Sequence, residues 1–92
     1  MARSFFVADS IVNSADTRYS LFASSELVIR GQTEFVAPAY YTSMGFATPA
    51  ALGAKMARPD LKVIALVGDG AFQMTGMELS TIVRRGLAVT VI

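Results

Sequence analysis

Cysteine and histidine are both missing from this 92-residue chain. Without cysteine there is no disulfide framework and no thiolate metal site. The same absence is consistent with a reduced, cytoplasmic setting, which is the expected location. Without histidine, acid–base chemistry near neutral pH needs a carboxylate of shifted pKa or a group from another chain. Charge is scarce as well: 16% of residues are Asp, Glu, Lys or Arg, against roughly 25% in ordinary soluble domains. A net charge of +1 gives neither nucleic acid nor an anionic membrane an electrostatic footing. Apolar residues reach 53%, above the roughly 45–50% of typical domains. A single small domain has much surface for its volume and should be more polar than average. The excess is that of a piece that normally packs against something larger.

The opening MARSFFVADS has one Arg and a short apolar run broken by Asp9, too little for a secretory signal. Residues 35–54 are uncharged but contain Pro38, Pro49, Gly45 and Gly53, with hydroxyls at Tyr40, Tyr41, Thr42, Ser43 and Thr48. Such breakers suit a buried loop and a helix start better than a lipid-facing helix. Repeats, low-complexity tracts and linkers are absent, and strand and helix signals alternate.

Residues 5–7 and 11–12 are β-prone, with a strand expected to end near Ala15. Residues 19–27 can form a short helix, with Leu21, Phe22 and Leu27 inward, and residues 28–37 read as irregular. Thr48 can cap a helix with Pro49 at its first position, or the helix can start earlier at Ser43. Either way it must end before Pro59. The run Val63-Ile64-Ala65-Leu66-Val67 suits a strand covered on both faces of a parallel sheet. After it, Thr75-Gly76-Met77-Glu78 fits a capping box. Leu79, Ile82 and Val83 then form an apolar stripe. Arg84 and Arg85 lie in the last turn, where they complement the helix dipole, and Gly86 is a C′ glycine. A second strand opens over residues 87–92, making 63–92 a βαβ unit.

The segment Gly68-Asp69-Gly70-Ala71-Phe72-Gln73-Met74-Thr75 lies at the carboxyl end of that first strand, where α/β sheets bind ligands. Two glycines allow close approach to phosphate oxygens and unusual φ values. The N–H groups entering the next helix form an anion site, and Asp69 is a hard oxygen ligand suited to Mg²⁺ or Ca²⁺ beside phosphate. A dinucleotide fingerprint would need glycine where Gln73 stands, and a nucleotide P-loop would need a Gly-Lys-Ser/Thr. Taken alone, the tripeptide fits a tight strand-to-helix turn with an ordinary surface Asp better than a ligand site. Glu78 is explained by the capping box without chemistry.

Wider context narrows this. GDGAFQMTGMELSTIVRRGL resembles the loop-and-helix motif of thiamine diphosphate enzymes. Within them it is most similar to the pyruvate, indolepyruvate and phenylpyruvate decarboxylases. AYYTSMGFATPAALGAK resembles that family's preceding helix entrance, and ADTRYSLFASSELV its first phosphate-side loop. The three segments occur in the family's order and together span nearly the whole chain.

The resemblance implies an α/β fold, a partial doubly wound parallel sheet, with residues 1–92 forming the pyrophosphate-side part of a thiamine diphosphate-binding domain that lacks its C-terminal portion. It implies thiamine diphosphate and Mg²⁺ as cofactors, with Asp69 as metal ligand and Gly70 and Ala71 offering N–H groups to the diphosphate. Met44 matches the apolar residue that props thiamine into its bent shape, although a plain core methionine is an equal reading. The backbone near Thr42 and Met44 would meet the pyrimidine edge. Thr17 matches a hydroxyl residue that reaches the diphosphate, or is simply a solvated loop threonine.

Three departures stand beside these matches. The family's motif continues, beyond the position of Ile92, to a pair of asparagines that complete the metal site, and one carboxylate alone is a poor Mg²⁺ site. Arg18 and Tyr19 stand where the family has glycine and a small polar residue. The glutamate that activates the pyrimidine comes from another domain, across a dimer interface, so this chain holds no catalytic residue of its own. The resemblance therefore implies a carboxy-lyase acting on a 2-oxo acid, aromatic ones included, in a homo-oligomer whose pyrimidine-binding domain lies elsewhere. The chain alone is expected to be inactive. Acetolactate synthase-like or benzoylformate decarboxylase-like chemistry, and a truncated non-catalytic remnant, are the alternatives.

Overall fold

The computed structural model describes residues 4–8, 33–37 and 43–92. Four strands form one sheet: β1 (Ser4–Ala8), β2 (Thr33–Val36), β3 (Lys62–Leu66) and β4 (Val89–Val91). Their order is β2-β1-β3-β4, and every neighbouring pair is parallel. Register is set by pairs such as Phe6 with Phe35, Val7 with Ala65 and Ala65 with Val91. The described helices are α1 (Ala47–Ala57), α2 (Asp69–Thr75) and α3 (Leu79–Arg84), with a 3₁₀ turn over Gly76–Glu78 between the last two. This is the α/β parallel sheet that the sequence implies.

Strand order fixes where a ligand can enter. From β1 to β2 the chain steps one way across the sheet; from β2 to β3 and from β3 to β4 it steps the other way. Right-handed crossovers place α1 and the α2–α3 segment on one face, and α1 does contact α2 and the 3₁₀ turn. The direction reverses between β1 and β3, so the topological switch point lies at their carboxyl ends.

Small side chains let α1 lie close on the sheet. Ala47 and Ala51 are buried, and Ala50 and Ala54 pack around them against Val63, Ala65, Val89 and Val91. Residues 47, 50, 51 and 54 follow the i, i+3, i+4, i+7 spacing of one helix face. On β3, Val63 and Ala65 are buried, whereas Ile64 and Leu66, pointing to the other face, are half-buried. The turn after α1 is closed by Lys55, whose Nζ donates to the carbonyls of Pro59 (2.8 Å) and Leu61. The exposed Arg58–Asp60 pair at 2.9 Å sits in the same turn. There the hydrogen bond and charge of Asp60 hold the guanidinium pKa above its ordinary value.

Several expectations need correction. Residues 33–36, read as irregular, are the edge strand β2; Glu34 and Val36 are exposed while Phe35 is half-buried, the alternation of a strand. Thr48 is not an N-cap: α1 begins at Ala47, and Phe46 occupies the cap with no side-chain bond. Thr48 is instead fully buried in the first turn, its Oγ1 without a hydrogen-bond partner among the described residues. The apolar stripe of α3 holds at Ile82, buried, and fails at Val83, 78% exposed. Gly86 does sit at C′ with φ +62°. Its N–H donates to Val83 O (3.0 Å) and that of Leu87 to Ile82 O (3.0 Å), the pair of bonds that defines a Schellman motif. The first strand is Ser4–Ala8; the β-prone pair at 11–12 and the helix expected over 19–27 lie outside the described residues. None of the described helices is long and apolar enough to cross a membrane.

Candidate functional site at the switch point

The loop after β3 opens at the switch point. Backbone pairing continues past the strand ends: Ile92 N–H donates to Ala65 O (2.9 Å) and Val67 N–H to Ile92 O (3.0 Å). These bonds hold the base of the loop against β4. Gly68 is buried and extended, φ −71°, ψ 157°, and acts as the N-cap of α2. The unusual φ expected of this loop is therefore not there; among the described glycines only Gly45 and Gly86 have positive φ. Phe72 N–H makes the first helical bond, to Gly68 O (2.8 Å). The N–H groups of Asp69, Gly70 and Ala71 thus precede any intrahelical acceptor and form the positive end of the α2 dipole.

Asp69 is exposed, and its Oδ1 accepts the N–H of Gly70 (2.9 Å). Its carboxylate therefore lies over the start of α2, at the mouth, and not against the sheet. Ala71 is 3% exposed and packs beneath the start of the helix. The donor set is an anion cradle with one carboxylate beside it, which suits a diphosphate. It does not make a metal site by itself: no group of three acidic, His or Cys side chains exists among the described residues. Gly70 also has a prior engagement, since a phosphate oxygen would have to replace Asp69 Oδ1 at its N–H.

Met44 is half-buried in the turn that leads into α1. Next to it Gly45 adopts φ +86°, and a Cβ there would stand 3.0 Å from Thr75 Cγ2 and 3.3 Å from Met74 Cβ. The Gly45 carbonyl accepts a hydrogen bond from Thr75 Oγ1 at 2.8 Å. This overturns the capping box: the Thr75 hydroxyl makes no cap bond, because it is spent on a residue 30 positions away. The Met44 turn is therefore fastened to the carboxyl end of α2, while Asp69 begins that helix. At 1.5 Å per residue the two points are about 9 Å apart along the axis. Sequence reasoning missed the contact of Thr75 with the Met44 turn, since its local pattern explained it as a cap. Thr17, Thr42, Arg18 and Tyr19 lie outside the described residues.

Comparison with known proteins adds a second line. Residues 17–92 match the family described as thiamine pyrophosphate enzyme, C-terminal TPP binding domain. The chain is 38% identical over 84 residues to indole-3-pyruvate decarboxylase of Azospirillum brasilense, covering 91% of this chain and 15% of that protein. It is 33% identical over 84 residues to the acetolactate synthase large subunit of Lactococcus lactis, again 91% of this chain and 15% of the relative. With an alpha-keto-acid decarboxylase of Mycobacterium avium it shares 36% identity over 78 residues, 85% of this chain and 14% of the other. The chain thus spans about one-seventh of the length of these relatives.

Proposed function

The chain belongs to the C-terminal, TPP-binding domains of the thiamine pyrophosphate enzymes, and from that premise we propose that it anchors the diphosphate of thiamine diphosphate in an enzyme acting on 2-oxo acids. The observation that carries the reading is the GDG loop at the switch point, where the N–H groups of the first helical turn and the Asp69 carboxylate, bonded to the Gly70 N–H, lie together. Ala71 and Gly70 hold phosphate oxygens through backbone N–H groups. Asp69 is the residue that would hold a Mg²⁺, which would supply charge neutralisation for the diphosphate. Met44, on its fastened turn, supports the thiamine ring. Bound thiamine diphosphate supplies an electron sink that lets a 2-oxo acid lose CO₂. The protein's part is orientation and electrostatics.

Non-oxidative decarboxylation, with aromatic 2-oxo acids as preferred substrates, is the favoured activity of the whole enzyme. Support comes from the wording of GDGAFQM and the likeness to an indole-3-pyruvate decarboxylase. The likeness to an acetolactate synthase keeps that second reaction open. A pyrimidine-binding domain elsewhere in the enzyme, a homo-oligomeric assembly and a cytoplasmic location complete the proposal. The exposed Met74 (54%) and Met77 (69%) are consistent with a surface covered in that assembly.

Calorimetric titration tests this. The complete enzyme bearing this domain binds thiamine diphosphate in Mg²⁺ and loses it in chelator, and it releases CO₂ from pyruvate, indolepyruvate or phenylpyruvate. The 92-residue chain alone binds weakly or not at all. Cofactor binding that ignores Mg²⁺, or micromolar binding by the isolated chain, contradicts the proposal.

A further inference from the structure

The bond between Thr75 and Gly45 joins two parts of the site that the sequence separates widely. Thr75 ends the helix Asp69–Thr75, whose start is the diphosphate anchor proposed above. Gly45 follows Met44 in the turn before α1, and its backbone lies so close to the Thr75 side chain that a Cβ on Gly45 would meet Thr75 Cγ2 at 3.0 Å. Methyl contact alone would pack the two segments but leave them free to slide. The hydroxyl, donating to Gly45 O at 2.8 Å in a half-buried setting, fixes their register. We infer that Thr75 is a positioning residue: by holding the Met44 turn to the end of α2, it sets the span between the thiamine-supporting side chain and the diphosphate anchor. The inference rests on the cofactor reading above.

The consequence is selective. Loss of the hydroxyl frees the ring end of the site and leaves the diphosphate end, at the other end of α2, as it was. Thr75→Val keeps the methyl packing and removes the donor; Thr75→Ser keeps the donor. In the complete enzyme with Mg²⁺, Thr75→Val weakens thiamine diphosphate by about five- to tenfold, the worth of one hydrogen bond. Inorganic pyrophosphate binding stays within about twofold, and Thr75→Ser restores the wild-type values for both. Equal weakening of both ligands, unchanged binding of both, or a Thr75→Ser variant that behaves like Thr75→Val overturns the inference while the cofactor reading stands. Should Thr75→Val not fold, Thr75→Ala is read against the same two ligands. A wild-type enzyme that binds neither ligand overturns the cofactor reading and this inference with it.

Discussion

Two glycines with left-handed backbones separate the cost of conformation from the cost of contact. Gly86 has φ +62°, and a Cβ added there would meet nothing within 4 Å. Gly45 has φ +86°, and its added Cβ would meet Thr75 Cγ2 at 3.0 Å and Met74 Cβ at 3.3 Å. Alanine in a left-handed conformation costs about 1–2 kcal/mol, offset by about 0.4–1 kcal/mol from the stiffer unfolded chain. Gly86→Ala should therefore destabilise by about 1 kcal/mol. Gly45→Ala adds the overpacking of a tight contact, typically about 1–3 kcal/mol, for a total near 2–4 kcal/mol. Urea unfolding of wild type and both variants, followed by far-UV circular dichroism, measures the difference. A Gly45→Ala variant no less stable than Gly86→Ala would refute the close approach of the Met44 turn to α2.

Ile82 is 4% exposed and Val83 is 78% exposed, so Ile82→Ala should cost about 2–4 kcal/mol and Val83→Ala less than about 0.5 kcal/mol, read by the same unfolding assay. Asp69→Asn keeps an acceptor for the Gly70 N–H but removes the charge. Stability should change by no more than about 0.3–1 kcal/mol, the scale of a lost dipole interaction, while Mg²⁺-dependent binding of thiamine diphosphate by the complete enzyme falls by at least about tenfold, measured calorimetrically.

Local pattern was enough wherever the structure is local. The run at 63–67 reads as a strand because every residue in it is β-branched or apolar, and the Gly86 stop is legible because its Schellman bonds join residues a single turn apart. The GDG loop is legible as a strand-to-helix turn because its groups belong to consecutive residues. The failures share the opposite character. β2 is four residues long, carries Glu34 and lies at the sheet edge, so pairing with β1 makes it a strand and its own sequence barely does. Thr48 reads as a cap beside Pro49, yet burial of α1 on β3 draws it inside the first turn. Thr75 and Glu78 have the spacing of a capping box, and a carbonyl from Gly45 outcompetes it. No window of sequence reveals a hydrogen bond that spans 30 residues.

The central claim is that a diphosphate sits over the start of α2 with Asp69 on its metal. A crystal structure of the complete enzyme with thiamine diphosphate and Mg²⁺ tests it most directly. The expected result has phosphate oxygens on the N–H groups of Gly70 and Ala71, and the Asp69 carboxylate swung from Gly70 onto the cation. A diphosphate bound elsewhere, or Asp69 still closed on the Gly70 N–H with the cofactor in place, would contradict it.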